Sequence, residues 1–147
     1  MNHVRTGVED HVSDEERQFL TDGLDAYNDG RTPDANYREL IVMSRHEGKI
    51  VGGLLGHTHW TWLYVKILWV AEDFRNGGVG RELMLAAERE ASRRGCRHAH
   101  CSTFAFQALP FYQKLGYSVF GTLENYAGGH ARYFLQKRDL SAALGVD

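Results

Sequence analysis

The amino-acid sequence predicts an α/β (α+β) fold, a mixed and mostly antiparallel central sheet flanked by helices. Three observations lead there. Apolar, β-rich runs bounded by turn residues fill residues 40–70 and return after Gly95. Between them lies a stretch of helical period, with Leu83, Met84, Ala87 and Ala91 on one side and Arg81, Glu82, Glu88 and Arg89 mostly elsewhere. The apolar run Tyr64, Val65, Ile67, Leu68, Trp69, Val70 passes through a polar turn into three glycines within four residues, and that helix follows at once.

In chain order, residues 3–8 are expected as a short first strand. Ser13-Asp14-Glu15-Glu16 is a capping box, its hydroxyl and carboxylate satisfying free N–H groups at a helix start. Phe19, Leu20, Leu24 and Tyr27 then recur at helical spacing, which predicts a helix over 14–27. Asn28-Asp29-Gly30 and Pro33 end it, and residues 30–36 are a surface loop. Residues 40–43 form a strand, 46–49 a hairpin turn, and 50–60 the returning strand; a tight connection near Thr61 leads into a strand over 62–70. The helix after the glycines runs to Arg94 and stops at Gly95. Residues 96–103 are a strand and 108–115 a short helix, with Pro110 in its first turn and Gly116 as its stop. Strands over 117–123 and 131–136, joined by a turn holding Gly128-Gly129, complete the order β-α-β-β-β-α-β-α-β-β.

A chain of 147 residues is expected to form a single domain, 1–147, large enough for a substantial core. Its 43% hydrophobic and 24% charged residues are ordinary for a soluble protein. A net charge of −2 gives no reason to expect a nucleic-acid partner. No apolar run is long enough to span a membrane, and Met1-Asn2-His3-Val4-Arg5 lacks a signal peptide's apolar core. Cys96 and Cys101 flank an extended segment that holds them too far apart to bridge. Reduced cysteines make a cytoplasmic location the default.

The strand, glycine loop and helix carry the chemistry. Together they aim free backbone N–H groups and the positive end of a helix dipole at one point, which makes an anion site, most often one for phosphate. A Walker loop is excluded, because no Lys-Ser or Lys-Thr follows. A dinucleotide fingerprint starts at Gly78-Val79-Gly80, but Leu83 stands where its third glycine belongs. Arg75-x-x-Gly78-x-Gly80 instead resembles the acetyl-CoA pyrophosphate loop of the GNAT superfamily of N-acetyltransferases, Gln/Arg-x-x-Gly-x-Gly/Ala. A second stretch, residues 106–117, is similar to that family's C-terminal signature at Ala108, Phe111, Tyr112, Gly116 and Tyr117. Ala105 stands where the family often has Asn. The resemblance covers about residues 38–138.

It implies a GNAT-like sheet with a splayed cofactor cleft between the fourth and fifth predicted strands, acetyl-CoA as cosubstrate, and no metal. The backbone of Leu68, Trp69 and Val70 would pair with the pantetheine arm. Arg75, Asn76, Gly77, Gly78, Val79, Gly80 and Arg81 would hold the pyrophosphate, with Phe111 and Lys114 beside it. Tyr112 is the family-matched acid for the departing thiolate; its phenol is protonated at neutral pH, and its pKa lies above that of a thiol. A general base is less defined. The strand over 62–70 has no acid in its interior, and Glu72 at its end is the nearest carboxylate in sequence. His57 and His59, on the neighbouring strand, and a water chain are the other candidates. The family's habit of dimerising makes a homodimer an expectation.

Trp60, Trp62 and Tyr64 cluster at the mouth of this cleft. Alternate strand positions share a face, so with His57 and His59 they can line an acceptor wall, apt for stacking on a ring or contacting a cation. Sheet packing or a dimer interface would use the same aromatics. His57-x-His59 and His98-x-His100, with Cys101 alongside, could also hold a metal, though nothing brings the two pairs together. The function implied is acetyl transfer from acetyl-CoA to the primary amine of a small molecule, by direct attack in a ternary complex. A protein or peptide amine as acceptor, or a non-catalytic acyl-CoA-binding module, are the competing readings.

Overall fold

Ser13 starts the first helix as its side chain implies. In the computed structural model of the chain, which describes residues 3–140, the Ser13 hydroxyl accepts from the Glu16 N–H and the Glu16 carboxylate accepts from the Ser13 N–H, each at 3.0 Å. This reciprocal cap opens α1, Asp14–Asn28. Phe19, Leu20, Leu24 and Tyr27 keep the expected spacing along it, and all four are exposed. Residues 3–8, expected as a strand, are irregular and join no sheet. Extended backbone becomes a strand only where a neighbour completes its ladder. This N-terminal stretch belongs to a compact unit, Met1–Ala35; the sheet and the glycine loop belong to a second, Asn36–Asp147.

Six strands form the sheet: β1 (Arg38–His46), β2 (Lys49–His59), β3 (Trp62–Val70), β4 (His98–Phe104), β5 (Ser118–Ala127) and β6 (His130–Arg138). They lie in the order β1-β2-β3-β4-β6-β5, antiparallel except where β3 meets β4. A parallel pair needs a crossover, and α2 (Val79–Arg93) provides it; α3 (Leu109–Lys114) follows β4. Apart from the missing first strand, this is the predicted mixed sheet with its flanking helices. Trp60 leaves the strand assigned to it and sits in the β2–β3 turn at a φ of 52°. That is left-handed backbone, uncommon for so bulky a residue. No helix among the described residues is long and apolar enough to cross a membrane.

Both later helices cover the same face of the sheet. Leu83, Met84, Ala87 and Ala91 of α2 and Tyr112 of α3 join Leu40, Leu54, Leu63, Val65, Ala99 and Leu135 in one core cluster. Strand alternation sends Leu55, His57, Tyr64, His100 and Gln136 to the opposite face. Glu88 departs from the polar side expected for it. It is fully buried, accepting from Lys137 Nζ at 2.6 Å and from the Tyr117 hydroxyl at 3.1 Å. It lies one turn after Met84 on the core stripe, and a carboxylate is tolerated there because both its oxygens are paired.

Candidate active site

β3 and β4 pair over three rungs only: Trp62 with His98, Leu63 with Ala99, and Tyr64 with His100. Beyond Tyr64 the strands diverge, although β3 continues to Val70 and β4 to Phe104. The irregularity that accompanies this lies on the other edge of β3. Between the rungs Gly56–Val65 and Leu55–Ile67, Lys66 has no opposite number in β2. This β-bulge bends the strand and inverts its alternation. Leu63 and Val65 face the core before it, and Leu68 and Val70 pack toward the same side after it. Gly56 makes the bulge possible: a Cβ there would stand 2.1 Å from the Tyr64 carbonyl oxygen. Nothing in the sequence reading singled out Gly56 or Lys66.

On the helical side of the splay lies a cavity of about 600 Å³. Of the residues expected at the cofactor, Leu68, Val70, Arg75, Asn76, Gly78, Gly80, Arg81, Phe111 and Lys114 line it, joined by Phe74, Ala108, Tyr112 and Leu115. Trp69, Gly77 and Val79 do not. Trp69 alternates to the opposite face and is half exposed, Val79 packs into the core, and Gly77 stays in the turn. Gly78 caps α2 at a φ of 90°, with no side chain bonded to the helix's first N–H groups. A Cβ on Gly80 would come within 3.3 Å of the Phe111 ring. The lining holds three cationic side chains, Arg75, Arg81 and Lys114, and no carboxylate. Free amides at a helix mouth, a close backbone approach and three cations fit the diphosphate of a nucleotide-tailed thiol. Arg75 is also tied back, its Nε donating to the Val70 carbonyl at 2.9 Å.

The space continues through the sheet. A second hollow of about 340 Å³ fills the splay, lined by Lys66 and Leu68 of β3, Ser102 and Phe104 of β4, Arg132 of β6, Ala108 at the cap of α3 and Tyr112 within it. Leu68, Ala108 and Tyr112 line both spaces. On the far face a third hollow, about 380 Å³, gathers all five expected acceptor residues, His57, His59, Trp60, Trp62 and Tyr64. His100, Phe120, Gln136 and Arg138 complete it. Tyr64 stacks on His100 at 4.8 Å, with His57 5.2 Å from its other side. The two histidine pairs thus flank β3, with aromatic rings between them.

Burial controls the protonation of these groups. It holds His57 and His100 below the usual imidazole value, helped at His57 by His59 and Lys66 and at His100 by His57. It raises the Tyr112 phenol, with Cys101 adding to the effect, and it pushes Cys101 itself to about 12. Both cysteines are free and buried. Glu72 is not brought to the splay. It sits in a 3-10 turn, Glu72–Phe74, beyond the far end of β3, roughly 20 Å of strand from Lys66.

Known proteins resemble this chain in sequence and fold. The description of the acetyltransferase (GNAT) family matches residues 6–117. An acetyltransferase of Agrobacterium fabrum is 36% identical over 139 residues, covering 94% of this chain and 99% of its own. A blasticidin-S acetyltransferase of Streptomyces morookaense is 37% identical over 112 residues, 73% of this chain and 82% of its own. A solved acetyltransferase structure from Bacillus cereus superposes with a TM-score of 0.82 at 30% identity, covering 93% of this chain and 97% of that one. The splayed strands, the cationic glycine loop and these likenesses agree: the chain belongs to the GNAT family and is an acetyltransferase.

Proposed function

We propose that residues 1–147 act as one acetyl-CoA-dependent N-acetyltransferase domain, transferring to the primary amine of a small molecule by direct attack in a ternary complex. The observation that carries this is the cavity at the mouth of α2 adjoining the hollow in the splay, with Leu68, Ala108 and Tyr112 lining both, and a third hollow on the far face of the same strands. When bound, acetyl-CoA supplies a thioester carbonyl open to an amine and a thiolate to leave. Arg75, Arg81, Lys114 and the amides of the glycine loop bind the diphosphate. The edge of β3 that β4 leaves unpaired offers its backbone at Leu68 and Val70 to the pantetheine amides, as an added strand would. Tyr112, held in its protonated form, donates its hydrogen to the departing sulfur. No carboxylate lines any of the three spaces, and the neutral imidazole of His57, which lines the far hollow, is assigned to receive the amine's proton.

Hollows of 340 and 380 Å³ match a small molecule, and the likeness to a blasticidin-S acetyltransferase supports the same class of acceptor. Thiol release from acetyl-CoA across a panel of amines, read with the mass of each acceptor, is the test. The expected result is release coupled to an acetylated amine. Stabilisation by coenzyme A with no release from any amine would make the protein a binding module, and no binding of coenzyme A at all would end the proposal.

A further inference from the structure

We infer that the acceptor carries, besides its amine, a carboxylate and a flat ring, the build of an aromatic amino acid. This rests on the acetyl-transfer reading of the same site and adds the substrate class. Lys66 and Arg132 line the splay and Arg138 the far hollow, and neither lining contains an aspartate or glutamate. Among the described residues none of these three cations is in an ion pair. Glu39 is the register partner of His57 and faces the same side from β1, but it does not line the hollow.

Arg132 is pre-positioned. Its Nη2 and Nε donate to the Ser102 hydroxyl at 2.8 and 3.2 Å and its Nη1 to the Tyr126 hydroxyl at 3.1 Å, with Phe134 5.0 Å beneath the guanidinium. A cation locked by neutral partners keeps its full charge for a ligand and loses little freedom on binding one. Arg138 lies 5.2 Å over the Trp62 ring, and Tyr64 lies between His57 and His100, so the wall of the far hollow sets aromatic ring edges, apt for edge-to-face contact with a flat ring, beside its cation.

The sign of this lining decides the class. A hollow with cations and no carboxylate repels an acceptor that carries a second ammonium and draws one that carries an anion. The same field favours the neutral form of the bound amine. That is the nucleophilic form, and it suits a site without a carboxylate base.

The test is a matched set: L-tryptophan, tryptamine, which lacks only the carboxylate, and spermidine, which is polycationic and has no ring. The expected order of kcat/KM is tryptophan above tryptamine by roughly tenfold or more, the scale of one charged hydrogen-bonded contact, with spermidine last. R132M and R138M should each narrow the tryptophan-to-tryptamine ratio, and saturation-transfer NMR on the coenzyme A-saturated enzyme should give the same order of binding. The wild-type comparison stands even if a variant fails to fold. Turnover in which tryptamine or spermidine equals or exceeds tryptophan overturns the inference and leaves the acetyltransferase reading intact. So does coenzyme A binding with none of the three amines bound. Failure to bind coenzyme A strikes the acetyltransferase reading instead, and the binding order of the amines alone still decides for or against the carboxylate.

Discussion

Lys137 Nζ on β6 lies 2.6 Å from Glu88 Oε1 on α2, with both side chains almost entirely withdrawn from water. The pair ties the crossover helix to β6, on the helix-covered face of the sheet, and the Tyr117 hydroxyl closes the network on the other carboxylate oxygen. Removing one partner leaves the other's charge buried. Glu88→Ala or Lys137→Ala should therefore cost about 3–5 kcal/mol, seen as a large drop in Tm. The double change Glu88→Leu with Lys137→Met should recover much of the loss. A single variant with unchanged Tm would show that the charges have water to retreat to.

Gly56→Ala places a methyl group where the Tyr64 carbonyl already stands. Relief requires the strands to separate or the bulge to shift register. We expect a loss of about 1–3 kcal/mol in stability and a disproportionate fall in acetyl transfer, because the bulge lies just past the last rung that joins β3 to β4. Chemical denaturation and thiol release, measured side by side, separate the two. Wild-type values for both would mean that β2 can yield without consequence.

Tyr112→Phe keeps the ring in the core and removes the hydroxyl. Its kcat should fall by roughly ten- to a thousandfold, the scale of a single general acid, while Tm barely moves. Burial and Cys101 raise the phenol, so the wild-type rate should show no loss from Tyr112 ionising up to pH of about 10. Equal turnover in the variant would assign this tyrosine to packing.

Stability should weaken with mild acid through the histidines of the far face. His57, His98 and His100 are all held below the ordinary imidazole value, with burial the leading cause at each. Above about pH 6.5 both folded and unfolded chains carry these rings neutral. As pH falls through that value the unfolded chain takes up protons first, and stability declines until the folded rings protonate as well. Tm followed from pH 8 to pH 5 should decrease across this window, and His100→Gln should make the decrease shallower. A Tm that is flat, or that rises on acidification, would contradict the assignment.

Much of the fold was legible because local rules and global packing agree in it. The Ser13–Glu16 cap, the β3 span Trp62–Val70 and the glycine loop each state their geometry in their own residues. Four residues of the far hollow, His57, His59, Trp62 and Tyr64, were also readable, since strand period places their side chains, whereas Trp60 reaches it from the turn. Other features depend on partners distant in sequence. Glu88 sits on the helical core stripe, but only Lys137, 49 residues later, explains a charge there. Gly56 shows nothing unusual until Tyr64 is laid against it. Arg132 and Arg138 line the hollows because β6 inserts between β4 and β5, an ordering that no local pattern announces. Glu72 is near the splay in sequence and yet lies past the end of β3, because a strand carries each further residue along its axis.

The unmatched Lys66 has a consequence for how such an enzyme can diversify. One surplus residue divides β3 into two stretches with opposite phase. The even-numbered positions Trp62 and Tyr64 line the far hollow, whereas Leu68 and Val70, also even-numbered, line the cavity at the mouth of α2. Substitutions ahead of the division therefore reshape the far hollow while the phase of the second stretch stays as it is, so under the proposed acetyl transfer the acceptor side can vary independently of the donor side.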